Sequence, residues 1–158
     1  MLYFLEMKWL VKSEEEMKRL GARFGAQARG GECLELVGDI GAGKTTFTKG
    51  LAHGMGITDT VQSPTFTISR LYETPHSLRL AHYDFYRLPD AGIMADELHD
   101  TASDEKTVVV IEWGDVIRDV LPKEYIEITF RAMSESEREV EAKAHGVKGR
   151  ILLEGITA

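Results

Sequence analysis

The 158-residue sequence is poor in cysteine and has no long apolar run. Cys33 is its only cysteine, so a disulfide framework is impossible, and we expect a reduced, cytoplasmic protein in which Cys33 is a small core residue. No apolar segment approaches the roughly 20 residues that span a membrane. The opening MLYFLEMKWLVKS has neither a basic start nor a small-residue cleavage site, so we expect no signal peptide.

Acidic residues outnumber basic ones, so the formal net charge is −7 and the isoelectric point about 5.3. A domain that binds nucleic acid by itself usually carries a basic face. The basic residues form only modest clusters, namely Arg70, Arg79 and Arg87 in the middle and Lys143, Lys148 and Arg150 near the end. Autonomous nucleic-acid binding is therefore disfavoured, although a partner could hold a nucleic acid on which this protein acts.

The composition is that of an ordinary globular domain, with 43% hydrophobic and 28% charged residues. The length suits one domain with a sizeable core, and no repeat or linker divides the chain, so we expect a single domain over residues 1–158.

One glycine-rich stretch, GDIGAGKTTF, follows the apolar run ECLELV. Its spacing matches G-x-x-x-x-G-K-[ST], in which glycines let backbone N–H groups cradle phosphate oxygens at the start of a helix. Lys44 would reach the β- and γ-phosphates, and the Thr45 hydroxyl would bind Mg²⁺. The alternative is a glycine-rich turn that only caps a helix. We favour phosphate binding and expect these cofactor-binding residues: Gly38, Asp39, Ile40, Gly41, Ala42, Gly43, Lys44, Thr45 and Thr46.

The remaining patterns predict an α/β fold with a mixed sheet. Ser13 and Glu16 form a capping box before an amphipathic helix. Further helices are predicted over 45–56, 93–100 and 147–153. Strands are predicted over 32–37, 65–73, 78–87, 107–113, 125–132 and 138–144, with a turn at Pro75 and the last two strands as antiparallel neighbours. No strand is assigned to the first twelve residues.

Two acidic residues are candidates for the rest of the site. Glu112 ends the apolar run TVVVIE, where a phosphate-loop protein needs a carboxylate for Mg²⁺, although such an acid is also common where any strand meets a loop. Asp84 shares one strand face with His82 and Tyr86, opposite the aromatic Tyr83 and Phe85. Asp84 could orient an attacking water, whereas His82 is better explained as a structural hydrogen-bonding residue.

Thr65 in SPTFT lies between the loop helix and the next strand, where nucleotide-sensing switches occur. A strand-start turn explains the same letters equally well, because Pro64 biases Ser63 to an extended conformation.

In this order GDIGAGKTTF, SPTFT, HYDFYRL and EWGD resemble the bacterial TsaE (YjeE) family over about residues 9–144. The resemblance implies a P-loop NTPase-like three-layer sandwich that binds ATP and Mg²⁺. It implies a metal site at Thr45 and Glu112, an Asp84 needed for activity, and base contacts near the N-terminus, for which Lys12 and Ser13 are candidates. We expect Asp84, Glu112 and Lys44 to be the catalytic residues. It also implies partnership with TsaD and TsaB in threonylcarbamoylation of adenosine 37 in tRNAs reading ANN codons. The segment Leu88–Asp100 departs from the family's acidic helix with a central glycine.

Two other functions compete with this ATP hydrolase. A metabolite kinase would pass the γ-phosphate to a small molecule, but such enzymes usually close an arginine-rich lid, and Arg131 and Arg138 form no obvious one. A GTP-dependent switch would need N-K-x-D and D-x-x-G, and both motifs are absent. We therefore expect an ATPase that is slow by itself and depends on its partners.

Overall fold

A computed structural model describes residues 4–39, 41–62, 69–86, 92–113 and 121–157. The strands are β1 (Phe4–Val11), β2 (Cys33–Val37), β3 (Ser69–Glu73), β4 (Arg79–Asp84), β5 (Thr107–Glu112), β6 (Tyr125–Ala132) and β7 (Arg138–His145). The helices are α1 (Glu14–Gln27), α2 (Lys44–Gly54), α3 (Gly92–Ser103) and α4 (Val147–Thr157). None of these helices is long and apolar enough to cross a bilayer.

The strands form one mixed sheet of seven strands in the order β1-β7-β6-β2-β5-β4-β3. β2 pairs in parallel with β5 and β6, and β4 pairs in parallel with β5. The pairs β1–β7, β3–β4 and β6–β7 are antiparallel. β5 is buried along its whole length because both of its neighbours are parallel strands inside the sheet. The predicted mixed α/β sheet and the antiparallel β6–β7 pair are confirmed.

Helices lie on both faces of the sheet, which confirms the three-layer arrangement. One face packs against α1, α2 and α4, and its core includes an edge-to-face chain of aromatic rings: Trp9, Phe24, Phe47 and Phe130. The other face of β4 and β5 packs against Leu98 of α3. Tyr83 and Phe85 are buried in that second cluster, as predicted.

The same second face is charged along β1, β7 and β6. Glu141 on β7 lies near Lys8 on β1 and near Lys143 on its own strand, at N–O distances of 3.3 and 3.5 Å. Arg131 on β6 pairs with Glu139 at 3.1 Å. Two of these ion pairs join neighbouring strands and the Lys143–Glu141 pair lies within β7. The alternation of β1, β6 and β7 thus separates an apolar buried face from a charged one.

Several element boundaries differ from the sequence predictions. β1 was not predicted, although residues 5–9 alternate apolar and polar side chains; it pairs with β7 along all eight residues. β4 ends at Asp84, three residues before the predicted end at Arg87. α3 and α4 both extend beyond the predicted ends, to Ser103 and Thr157. The predicted strand residues 65–68 lie outside the described residues.

The contact between α1 and α2 depends on glycines. A Cβ at Gly21 or Gly25 would overlap carbonyl oxygens of α2, and a Cβ at Gly50 or Gly54 would overlap carbonyl oxygens of α1. The two backbones therefore touch, which fixes α2 and the loop before it against α1.

Candidate functional site

Five strands end at one edge of the sheet. The pairing makes β1, β2, β4, β5 and β6 run in the same direction, so their carboxyl ends lie together. In open α/β sheets ligands bind outside this edge. A cavity of about 590 Å³ lies there, and the predicted site residues that line it are Ser13, Gly41, Gly43, Lys44, Thr45, Thr46, Asp84 and Glu112.

The glycine-rich loop connects β2 to α2. Gly41 and Gly43 have φ angles of 82° and 108°, in the left-handed region that other residues rarely adopt. Gly43 is the N-cap of α2, and its carbonyl accepts the first helical hydrogen bond from Phe47 N–H at 2.9 Å. Lys44, Thr45 and Thr46, which form the start of α2, line the cavity, and the N–H groups at a helix start suit a phosphate.

Lys44 is the cation of this loop. Its Nζ donates to the Gly38 carbonyl at 2.7 Å and lies 4.0 Å from the centroid of the Trp113 ring. Burial lowers the pKa of the Lys44 ammonium, and the carboxylates of Glu112 and Asp84 oppose that shift. The ammonium is therefore held inside the cavity, close to both candidate acids.

The two acids lie side by side. Asp84 and Glu112 are register partners at the ends of the parallel strands β4 and β5. Asp84 is partly exposed, and its Oδ1 accepts from the Tyr86 backbone N–H at 3.0 Å. Glu112 is only 3% exposed, and its Oε2 lies 2.5 Å from Nε2 of His82. The sheet thus brings the predicted carboxylates together and adds a buried histidine to one of them.

The remaining predicted residues have different positions. Gly38, Asp39 and Ala42 belong to the loop but do not line the cavity. Lys12 does not line it either, and the Ser13 hydroxyl accepts from Glu16 N–H at 3.1 Å as a helix cap. The Glu16 carboxylate accepts from the N–H of Lys12 at 2.7 Å, one residue before the Ser13 N–H that the return bond of the predicted capping box would use. Ile40 and Thr65 lie outside the described residues.

Some cavity residues were missed by sequence reasoning. Trp113, which directly follows Glu112, has a φ of 60°, unusual for a bulky residue, and its ring lies 5.0 Å from that of Tyr86. The motifs EWGD and HYDFYRL contained both aromatic residues, but nothing in their spacing indicated that they would meet.

The β6–β7 hairpin forms another wall that was not predicted. Glu135, Ser136 and Arg138 line the cavity opposite Glu14 and Met17 of α1. The Arg138 guanidinium donates to hairpin carbonyls and reaches Gly41 O at 3.5 Å. The sequence predicted β6 and β7 as antiparallel neighbours, but no local signal indicated that their hairpin lines the site, because only the order of strands in the sheet brings it beside the loop.

The donor atoms of the cavity fit a Mg²⁺–nucleotide. Among the described residues no group of three His, Cys, Asp or Glu side chains could hold a metal by itself. Mg²⁺ at phosphates does not need such a group, since it keeps waters and takes one or two carboxylates beside phosphate oxygens. The Thr45 hydroxyl and the Glu112 and Asp84 carboxylates, all in one cavity, supply oxygen ligands of that kind.

The central strands of the sheet are parallel, and the glycine-rich loop joins the central strand β2 to the next helix. This arrangement defines the class, a P-loop protein. Residues 11–140 match the family model described as threonylcarbamoyl adenosine biosynthesis protein TsaE. The chain belongs to the TsaE family.

Relatives agree with this assignment. The chain is 40% identical over 156 residues to the tRNA threonylcarbamoyladenosine biosynthesis protein TsaE of Bacillus subtilis, covering 96% of this chain and 94% of the relative. It is 34% identical to the TsaE of Treponema pallidum, covering 85% of this chain and 98% of the relative. The crystal structure of Bacillus subtilis YdiB matches with a TM-score of 0.81 and 36% identity, over 99% of this chain and 96% of that one.

Proposed function

We propose that this chain is a Mg²⁺-dependent ATPase subunit required for threonylcarbamoylation of adenosine 37 in tRNAs reading ANN codons. The observation that carries the proposal is the meeting of the loop residues Gly41, Gly43, Lys44 and Thr45 with Asp84 and Glu112 at one cavity. Membership of a family named for biosynthesis of this modified nucleoside supports the pathway.

Each polar group has a role in this proposal. The loop N–H groups and Lys44 bind the β- and γ-phosphates. Thr45 and Glu112 hold Mg²⁺, which when bound supplies positive charge beside the phosphates. Asp84 accepts a hydrogen bond from the attacking water and so orients it. The start of α1 and the β6–β7 hairpin remain to contact ribose and base, with Ser13 on the α1 side.

The chain acts with TsaD and TsaB in the cytoplasm, and tRNA is reached through that complex. The net charge of −7 supports an indirect contact, because counterion release requires clustered Lys and Arg at the phosphates and the basic residues of this chain form only modest clusters.

Calorimetry tests nucleotide binding. ATP should bind in the presence of Mg²⁺, more weakly when Mg²⁺ is chelated, and GTP should bind poorly. Lys44→Ala should weaken ATP binding because it removes the charge nearest the phosphates, whereas Lys49→Ala, exposed on the same helix, should not. An unchanged ATP affinity in Lys44→Ala would contradict the assignment of this loop as a phosphate-binding loop.

A pull-down from native extract with and without ATP tests the partnership, and recovery of TsaD supports it. Product analysis separates the metabolite-kinase alternative. Release of inorganic phosphate without an acceptor supports an ATPase, whereas turnover only in the presence of a small-molecule acceptor, which becomes phosphorylated, would identify a kinase.

A further inference from the structure

His82 is the one histidine among the described residues that contacts a candidate metal ligand. It is fully buried on β4, two residues before Asp84, and its Nε2 lies 2.5 Å from Oε2 of Glu112. Its register partner on β5 is Val110, so Glu112 is its diagonal neighbour on the same sheet face. The contact therefore follows from the parallel pairing of the two strands, which fixes both backbones.

The hydrogen bonding of the imidazole indicates where its proton lies. Nδ1 of His82 is buried and has no partner among the described residues. A buried N–H group without an acceptor costs free energy. A proton on Nδ1 would have this cost, whereas a proton on Nε2 is donated to the Glu112 carboxylate. The arrangement therefore favours the tautomer in which Nε2–H donates to the Glu112 carboxylate.

This bond leaves one oxygen of Glu112 for the cavity. Glu112 lines the cavity, and its contact with His82 is made by Oε2, not by Oε1. The Glu112 side chain has three rotatable bonds, and a hydrogen-bond donor fixed on a neighbouring strand restricts rotation about them. Residues that orient metal ligands in this way usually change metal affinity by about 10- to 100-fold when they are lost.

We propose that His82 is a positioning residue that holds Oε2 of Glu112 so that Oε1 faces a nucleotide-bound divalent cation. The proposal rests on the proposed function of Glu112 as a Mg²⁺ ligand. His82 contacts neither the nucleotide nor the metal and acts only through Glu112.

Two amide substitutions provide a matched test. In His82→Gln the side-chain N–H₂ can reach the position of Nε2, whereas in His82→Asn it reaches only the position of Nδ1. Both bury an amide at the same site, so a general disturbance of the core should affect both. Only His82→Gln should keep the bond to Glu112.

ADP affinity would be measured by calorimetry for wild type and both variants, with saturating Mg²⁺ and with Mg²⁺ chelated, beside their thermal unfolding. Affinity without Mg²⁺ should stay within about twofold in all three proteins. The factor by which Mg²⁺ raises ADP affinity should fall by about 10- to 100-fold in His82→Asn and by far less in His82→Gln.

If Mg²⁺ raises ADP affinity by the same factor in His82→Asn and His82→Gln, the positioning role is overturned while the proposed function stays intact. A wild type without any Mg²⁺-dependent gain would instead overturn the proposed function, and this inference with it. A side-chain ¹⁵N spectrum of the wild type gives a check that does not depend on folding of the variants. Nε2 of His82 should carry a proton, and a proton on Nδ1 alone would overturn the proposal.

Discussion

At the scale of residues, Asp84 and Glu112 occupy neighbouring strand ends but differ in surroundings. Glu112 is buried and bonded to His82, whereas Asp84 is partly exposed and accepts from the backbone of Tyr86. The sequence identified Glu112 from its place at a strand end and Asp84 from the polar face of the strand predicted over 78–87. It did not indicate that they are register partners, since pairing depends on residues distant in the chain.

Substitution of the two acids should separate their roles. Glu112→Ala should weaken Mg²⁺-dependent ATP binding because it removes a metal-directed carboxylate. Asp84→Ala should leave ATP binding nearly intact yet abolish hydrolysis and tRNA modification, because a water-orienting group contributes mainly in the transition state. Binding and single-turnover hydrolysis at fixed Mg²⁺ measure both effects, with the exposed Asp100→Ala on α3 as control. Equal losses of affinity in both variants would show that both acids serve the metal.

Cys33 should be unreactive in the folded protein. Burial, with a contribution from the charge of Glu35, raises the pKa of its thiol to about 12. At about pH 8 only about one part in 10⁴ of the thiol is then ionised, and the thiolate is the reactive form. Reaction with a disulfide reagent, followed by absorbance, should be absent in buffer and complete in guanidinium. Rapid stoichiometric labelling of the folded protein would contradict this assignment of Cys33 to the core.

At the scale of elements, the glycines between α1 and α2 make a further prediction. A Cβ at Gly50 would overlap the backbone carbonyl of Lys18, which cannot move without separating the helices. Gly50→Ala should therefore lower the free energy of unfolding by about 1–3 kcal/mol, although alanine is the better helix former. Denaturant unfolding measures this change.

Gly155→Ala in α4 is the matched control for Gly50→Ala. A Cβ there meets the side chain of Gln27, which can rotate away. Gly155→Ala should accordingly be neutral or slightly stabilising. Destabilisation of the same size in both variants would mean that loss of helix–helix contact is not the cause.

At the scale of the whole molecule, hydrolysis by the isolated chain should be slow. Arg138 is at the cavity rim, but its guanidinium is bonded to carbonyls of its own hairpin. In related NTPases an arginine supplied by a partner raises the rate by about 10³–10⁵. Phosphate release should therefore rise when TsaD and TsaB are added, and Lys44→Ala should abolish the rise.

Two results would contradict this dependence on partners. One is high turnover by the isolated chain that TsaD and TsaB do not change. The other is a fall of several orders of magnitude in the hydrolysis rate of the isolated chain on Arg138→Ala. Arg138 would then act on the phosphates from within the same chain.

The sequence alone determined the features that depend on neighbouring residues. The loop spacing, the Ser13 cap and the buried run of β5 are visible in short windows, because glycine conformations, helix capping and strand alternation act over a few residues. The family motifs added the ATP and Mg²⁺ hypothesis.

Only the tertiary structure decided which strands are neighbours. Insertion of β7 between β1 and β6, and of β2 between β6 and β5, brings the Arg138 hairpin and the start of α1 to the phosphate loop. The parallel pairing of β4 with β5 places His82 against Glu112, thirty residues away in sequence. Strand order minimises the free energy of the whole packed sheet, a sum over long-range contacts, so no short stretch of the sequence contains it.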